Sequence, residues 1–471
     1  MTDSKNAETP KPGRKKQQVQ AVLMIHGIGE QIPMKTLRSF VDTVWTEDPS
    51  QTADDKERDL FSGPDRVSGS FELRRLISSR NSKHVRTDFF EFYWAHTVSD
   101  TRFWHVIKWI GRLFVRPPER TTKSVMFAWQ AARVITAIVA ILTIGLAYYY
   151  ATAENPFLDS FKWIVMFAPM AFGGMVNSIL LRTVGDAARY LLPEPYNIKN
   201  RHEIRSAGVK ILRALTEMKN DDGQYKYDRI IIVGHSLGAV IGYDILRGAW
   251  PHYNLCREMP PKGPTNAMEA VEVAGKAEPF NLAEYRNKQK AFGAELRQNG
   301  NPWAITDFVT LGSPLAHSAW LMAESADDFD QKTEQREFPI CPPYADGNKE
   351  QDRFSYEVTR KKPGASRGSK VFIPDHAAVF GAVRWTNVYF PSSFAAHGDL
   401  IGGPAAPLYG KGVLDIEATH PKRNAGFFSH VFYWTPDSAA DASNAHLVTL
   451  RKAINLLDED DPFALAKKKP T

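Results

Sequence analysis

Residues 229–250 read RIIIVGHSLGAVIGYDILRGAW, and this stretch decides the fold. Ile230 to Val233 form a short apolar run with the β-branched character of a buried strand. Gly234-His235-Ser236-Leu237-Gly238 follows at once, and Ala239 to Leu246 then continue as an apolar helix. A serine between strand end and helix start, with glycine two places to either side, is the pattern of a nucleophile elbow. Gly234 and Gly238 are expected where a Cβ would collide with neighbouring backbone. The helix that starts at Ser236 aims free N–H groups at any negative charge developing beside it, Leu237 N–H first.

Working outward, Gln20 to Ile25 is a second buried-strand run, ending in His26-Gly27-Ile28. Gly27 lets the backbone come close to a substrate, so the N–H of Ile28 is the second expected oxyanion donor. His26 reads as a hydrogen-bonding residue beneath that loop. Met34 to Trp45 has a helical pattern, and Ser70 to Ile77 and Thr87 to Trp94 read as strands. Ile204, Gly208, Ile211, Leu215 and Met218 recur at helical steps ahead of the nucleophile strand. Downstream, Trp303 to Leu311 is a strand closed by Gly312-Ser313-Pro314-Leu315, and Val383 to Tyr389 is the last clear one. A helix near Ala445 to Leu457 closes the chain. Strands alternating with helices predict an α/β fold with a mostly parallel central sheet flanked by helices. Two polar insertions are expected within it, 251–302 with a helix around Leu282 to Arg297, and 325–371 as a long loop.

A serine hydroxyl is a weak nucleophile at neutral pH and needs a base, which in turn needs a carboxylate to orient it. The chain order nucleophile, acid, base is met by Ser236, Asp399 and His430. His430 stands just before an aromatic run able to hold an imidazole, with His397 and His420 as competitors. Asp399 lies in a Gly-rich turn after the last clear strand, and Asp415 and Asp375 are the other candidate acids.

Two stretches differ sharply from the rest. Residues 134–153 carry no charge, nor do residues 163–181, and each is long enough to cross about 30 Å of hydrocarbon. Their outer flanks are basic (Arg112, Arg116, Arg120 and Arg133 before, Arg182 and Arg189 after), and the short connection holds Glu154 and Asp159. By the positive-inside tendency, both flanks lie in the cytoplasm. The expectation is a membrane hairpin within 121–192, interrupting one domain whose parts are 19–120 and 193–460. That would make the protein integral to a plasma or bacterial inner membrane, with its active site on the cytoplasmic side.

The net charge of +6 is accounted for by the tails, since 1–18 and 461–471 are both rich in lysine. A near-neutral body argues against a nucleic-acid partner. The 13 histidines show no metal-ligand spacing, and neither a phosphate-binding loop nor a dinucleotide fingerprint occurs, so no cofactor is expected. Cys256 and Cys341 are far apart and suit a reducing compartment.

His26-Gly27, the elbow, Thr310-Leu311-Gly312-Ser313-Pro314-Leu315 and Ser429-His430 with Tyr433-Trp434 together resemble a known family. The chain resembles serine lipases and esterases of the α/β-hydrolase superfamily, and is similar to those grouped with GPI-inositol deacylases and class 3 lipases. The resemblance implies hydrolysis of a lipid or other acyl ester through an acyl-enzyme, without a metal. The sequence departs from the pattern in one place: no Asp-x-Val or Asp-x-Ile follows the last clear strand closely, and Asp399 lies farther out. An acyltransferase or thioesterase would use the same nucleophile, and a non-catalytic membrane scaffold could keep the fold.

Overall fold

The computed structural model describes residues 18–28, 32–52, 58–97, 103–152, 190–191, 195–256, 266–345, 353–360, 368–392, 398–419, 429–436 and 444–463. The chain opens with β1 (Val19–Ile25) and α1 (Lys35–Val41), then β2 (Leu60–Pro64), β3 (Arg74–Arg80) and β4 (Arg86–Phe92). Helices α2 (Phe103–Val115), α3 (Lys123–Thr152) and α4 (Pro195–Glu217) precede β5 (Arg229–His235) and α5 (Leu237–Ala249). Next come α6 (Ala267–Lys276), α7 (Leu282–Gln298), β6 (Ile305–Leu311) and α8 (Ala326–Glu334). A hairpin of β7 (Ser355–Arg360) and β8 (Ser369–Pro374), then β9 (Arg384–Tyr389), β10 (Leu414–Glu417) and α9 (Ala445–Ile454), complete it.

Eight strands form one sheet in the order β10-β9-β6-β5-β1-β4-β3-β2. The run from β10 to β4 is parallel, and β3 and β2 add antiparallel at one edge. Parallel strands need both faces covered, and their sequences are therefore apolar throughout. The alternation along β1 and β5 shows this directly. Ala21, Leu23, Ile25, Ile230 and Ile232 enter one core with residues of α4, α5 and α7. Val22, Met24, Ile231 and Val233 enter another with α1 and α9. The result is a three-layer α/β architecture.

Several expectations are corrected. Segment 325–371 is not one long loop among its described residues, because it carries α8 and most of the β7–β8 hairpin. The last clear strand is followed by one more, β10. Residues 134–152 are helical as part of α3, and Val134, Ile138, Ile141, Ile144 and Tyr148 are exposed on it. Among the described residues, however, no helix is long and apolar enough to cross a membrane. The expected second span, 163–181, and its connection lie outside the described residues. The membrane hairpin is therefore not a feature that the structure supports.

Candidate active site

The register of the central strands determines which residues meet at the carboxyl edge. Ile25 stands opposite Gly234, and His235 opposite Leu311. Continuing by two residues and by one, Gly27, Ser236 and Gly312 fall into a single row across β1, β5 and β6. Close contacts bear this out: a Cβ on Gly27 would stand 2.8 Å from Ser236 Cβ, and Ser236 N–H donates to Leu311 O at 2.9 Å.

Ser236 has φ 54° and ψ −128°, a backbone conformation that costs a non-glycine residue on the order of 1–3 kcal/mol. It is held there from both sides. A Cβ on Gly234 would strike the backbone of Ala239, and one on Gly238 would strike the carbonyl oxygens of Ile25 and His26. The elbow glycines thus let α5 start hard against β1. Leu237 and Gly238 open α5, where N–H groups have no carbonyl of the preceding turn to bond. Ile28 lies in the bend that follows Gly27. Under it, His26 Nδ1 meets Gly27 O at 2.8 Å, and its ring stacks on Trp94, whose indole N–H donates to His26 O at 3.0 Å. Burial holds His26 near a pKa of about 4, so it is neutral and structural.

Over Gly312, the third position of the row, sit the candidate acid Asp399 and the candidate base His430. Gly312 has φ +55°, and a Cβ there would stand 2.8 Å from Asp399 Oδ2 and 3.0 Å from His430 Nδ1. His430 Nδ1 meets the Asp399 carboxylate at 3.0 and 3.1 Å. Tyr433 O–H donates to Asp399 Oδ2 at 2.8 Å, and the N–H groups of Ile401 and Gly402 donate to Oδ1 at 2.8 and 3.0 Å. Burial alone would raise the Asp399 pKa, but His430 and these donors outweigh it and bring it down to about 2. With Nδ1 turned to the carboxylate, His430 Nε2 is buried with no hydrogen-bond partner among the described residues.

His235, adjacent to Ser236, locks His430 to the elbow. Its Nε2 meets His430 O at 2.9 Å, its ring centroid is 4.9 Å from that of His430, and Trp434 packs edge-on against it. Burial, with His430 adding to it, lowers its pKa to about 3.

The structure thus brings Ser236, His430, Asp399, Gly27, Gly234 and Gly238 to one edge of the sheet. The competing acids are occupied elsewhere. Asp415 accepts from Asn387 Nδ2 and from the N–H groups of Ala405 and Ala406, while Asp375 pairs with Arg336 and accepts from Ala377 N–H. His397 and His420 lie outside the described residues. Sequence reading missed Tyr433 as the residue whose hydroxyl holds the Asp399 carboxylate. The signal available was a tyrosine three places after the histidine in an otherwise apolar run. Compared with known proteins, the chain matches no family model, no curated protein and no solved structure.

Proposed function

We propose that the protein is a serine hydrolase of the α/β-hydrolase type, cleaving carboxylic esters through an acyl-enzyme. The observation that carries this reading is the row Gly27–Ser236–Gly312, with the Asp399–His430 pair directly over its third position. Ser236 Oγ attacks the ester carbonyl and its proton passes to His430 Nε2, the unpartnered ring nitrogen. Asp399 holds the tautomer with Nδ1 protonated and stabilises the imidazolium that forms. The N–H groups of Leu237 and Ile28 receive the developing oxyanion. The alcohol leaves with the proton from His430, and water then hydrolyses the acyl-serine with His430 as base. In a resting enzyme the nucleophile–base hydrogen bond is commonly long and tightens when substrate binds.

The substrate class is a lipid or other acyl ester, and the protein belongs at a membrane. Val134, Ile138, Ile141 and Tyr148 recur at three-, four- and seven-residue steps, so they share one exposed face of α3. Exposed apolar rows of this kind suit a lipid surface. The charge-free stretch 163–181 adds to that reading from sequence.

Two measurements test the proposal. Purified protein in detergent should react with a fluorophosphonate probe and hydrolyse p-nitrophenyl acyl esters, and Ser236→Ala should lose both. Labelling of Ser236→Ala at the wild-type level would remove Ser236 from the mechanism. In fractionated cells the chain is expected in the membrane pellet after a carbonate wash, and full release would overturn the membrane assignment.

A further inference from the structure

Away from the row at the sheet edge, a cavity of about 220 Å³ lies between α4, α5 and the start of the segment at Tyr190. Four cationic side chains line it, Arg201, Arg205, Arg247 and Lys332, against two carboxylates, Asp244 and Glu337. Three of the cations have partners. Arg205 Nη2 meets Asp244 Oδ2 at 2.5 Å, where Tyr190 O–H also donates at 2.8 Å. Arg247 pairs with Asp244 Oδ1 at 3.3 Å and donates to Glu337 O at 2.8 Å. Lys332 turns to Asp328 at 2.8 Å.

Arg201 is different. Its Nε and one Nη are buried with no hydrogen-bond partner among the described residues. Burial, with Arg205 beside it, disfavours its charged form, although Asp244 offsets part of this. A guanidinium does not give up its proton, so two buried donors and a surplus of positive charge call for an anion.

We propose that this cavity binds a phosphate group, with Arg201 as the principal donor and Arg205 and Arg247 completing the cationic wall. With Lys332 neutralised by Asp328, the wall keeps one cation in excess, the unpartnered Arg201, and the negative oxygens of a phosphomonoester would meet it. A guanidinium fork also fits phosphate oxygens better than an ammonium does. The group comes either from a lipid headgroup or from a soluble phosphate ester, and both present the same oxygens. Val240 and Asp244 lie on α5, which begins at the proposed nucleophile. At about 1.5 Å per residue they stand about 6 and 12 Å from Ser236 along the helix. The site does not depend on the hydrolase reading, because it rests on charge and burial alone.

The test uses the full-length protein in neutral detergent and follows thermal unfolding as inorganic phosphate is titrated at constant ionic strength. Phosphate should raise the melting temperature saturably, while chloride should not. Arg201→Gln should weaken phosphate at least about tenfold. In phosphate-free buffer it should melt at or above the wild-type temperature, because an unpaired buried charge is gone. Ile198→Glu is the second variant: Ile198 is half exposed and three residues from Arg201, so a carboxylate there should face the guanidinium and block phosphate. Competition by phosphatidic-acid vesicles but not phosphatidylcholine vesicles would identify a lipid source, and competition by glycerol phosphate alone a soluble one. Wild-type phosphate affinity in both variants, an equal response to chloride, or a clearly lower melting temperature of phosphate-free Arg201→Gln would each overturn the proposal.

Discussion

Asp399 shows how much one side chain can be asked to do. Its carboxylate accepts from His430, Tyr433, Ile401 and Gly402 while fully buried. The depressed pKa has a definite sign: the stabilisation is complete above about 3.8 and is lost as pH falls toward 2. Asp399→Asn keeps the shape but favours the wrong imidazole tautomer, and kcat for ester hydrolysis should fall about 10³–10⁴-fold with the fold intact. Tyr433→Phe is expected to act on stability. It deletes the donor to Asp399 and also orphans Phe390 N–H, which donates to the same hydroxyl at 3.1 Å. A loss of about 1–3 kcal/mol in urea unfolding is expected. Ser236 and His430 stood out as candidates because each sits in a local pattern, strand–Gly–x–Ser–x–Gly–helix and a histidine entering an aromatic run. Asp399 was harder to read, since an aspartate in a Gly-rich turn has the same local signature as any turn cap. Only the approach of the loop after β9 to Gly312 distinguishes it from Asp415.

Strand ends and helix starts, rather than loops, set the precision of the candidate site. α5 can start at Ser236 only because Gly238 lies flat against the carbonyls that end β1. Gly238→Ala should force β1 and α5 apart, lowering stability by about 1–3 kcal/mol and fluorophosphonate labelling more steeply. Gly111 in α2 is the matching control, because a Cβ there meets nothing within 4 Å. Gly111→Ala should leave labelling unchanged and stabilise by about 0.5–1 kcal/mol, since alanine restricts the unfolded chain. Equal effects of the two substitutions would remove the steric argument. The same logic explains which elements the sequence revealed. β1, β5, β6 and β9 are central and apolar, so their runs are visible. β2 is an edge strand that contains Gly63 and ends in Pro64, two residues that argue against a strand when met in sequence. β10 has four residues, all only partly buried or exposed, and leaves no periodic trace. The β7–β8 hairpin was hidden because the polar, Gly- and Pro-containing segment around it reads as loop.

Across the whole molecule, the buried titratable groups point to a stability that falls on acidification and levels off above neutrality. Burial lowers His26 and His317 to about 4 and His235 to about 3, so all three are neutral in the fold. Unfolded imidazoles titrate near 6.5, so between about 6.5 and 4 the unfolded chain binds three protons that the folded one refuses. Stability is therefore lost as pH falls through that window. Glu91 works in the opposite direction. Burial raises it to about 7, partly offset by Met34 N–H, which donates to it at 2.7 Å at the start of α1. Its contribution is present at low pH and is lost as pH rises from about 4.5 to 7. Three groups outweigh one, so stability should fall by roughly 2 kcal/mol per pH unit on acidification between pH 6 and 5. Thermal unfolding across pH 4.5–8 measures this, and a flat profile below pH 6 would mean that the imidazoles are not held neutral. Glu91→Gln separates the opposing contribution, because the amide oxygen can still accept from Met34 N–H without carrying a charge. That variant should be about 3 kcal/mol more stable than wild type at pH 8 and within about 1 kcal/mol of it at pH 5. The Glu91 carboxyl therefore favours the fold when protonated, and the neutral imidazoles favour it when the medium is not acidic. Together they predict a stability that rises from pH 5 and levels off above about pH 7.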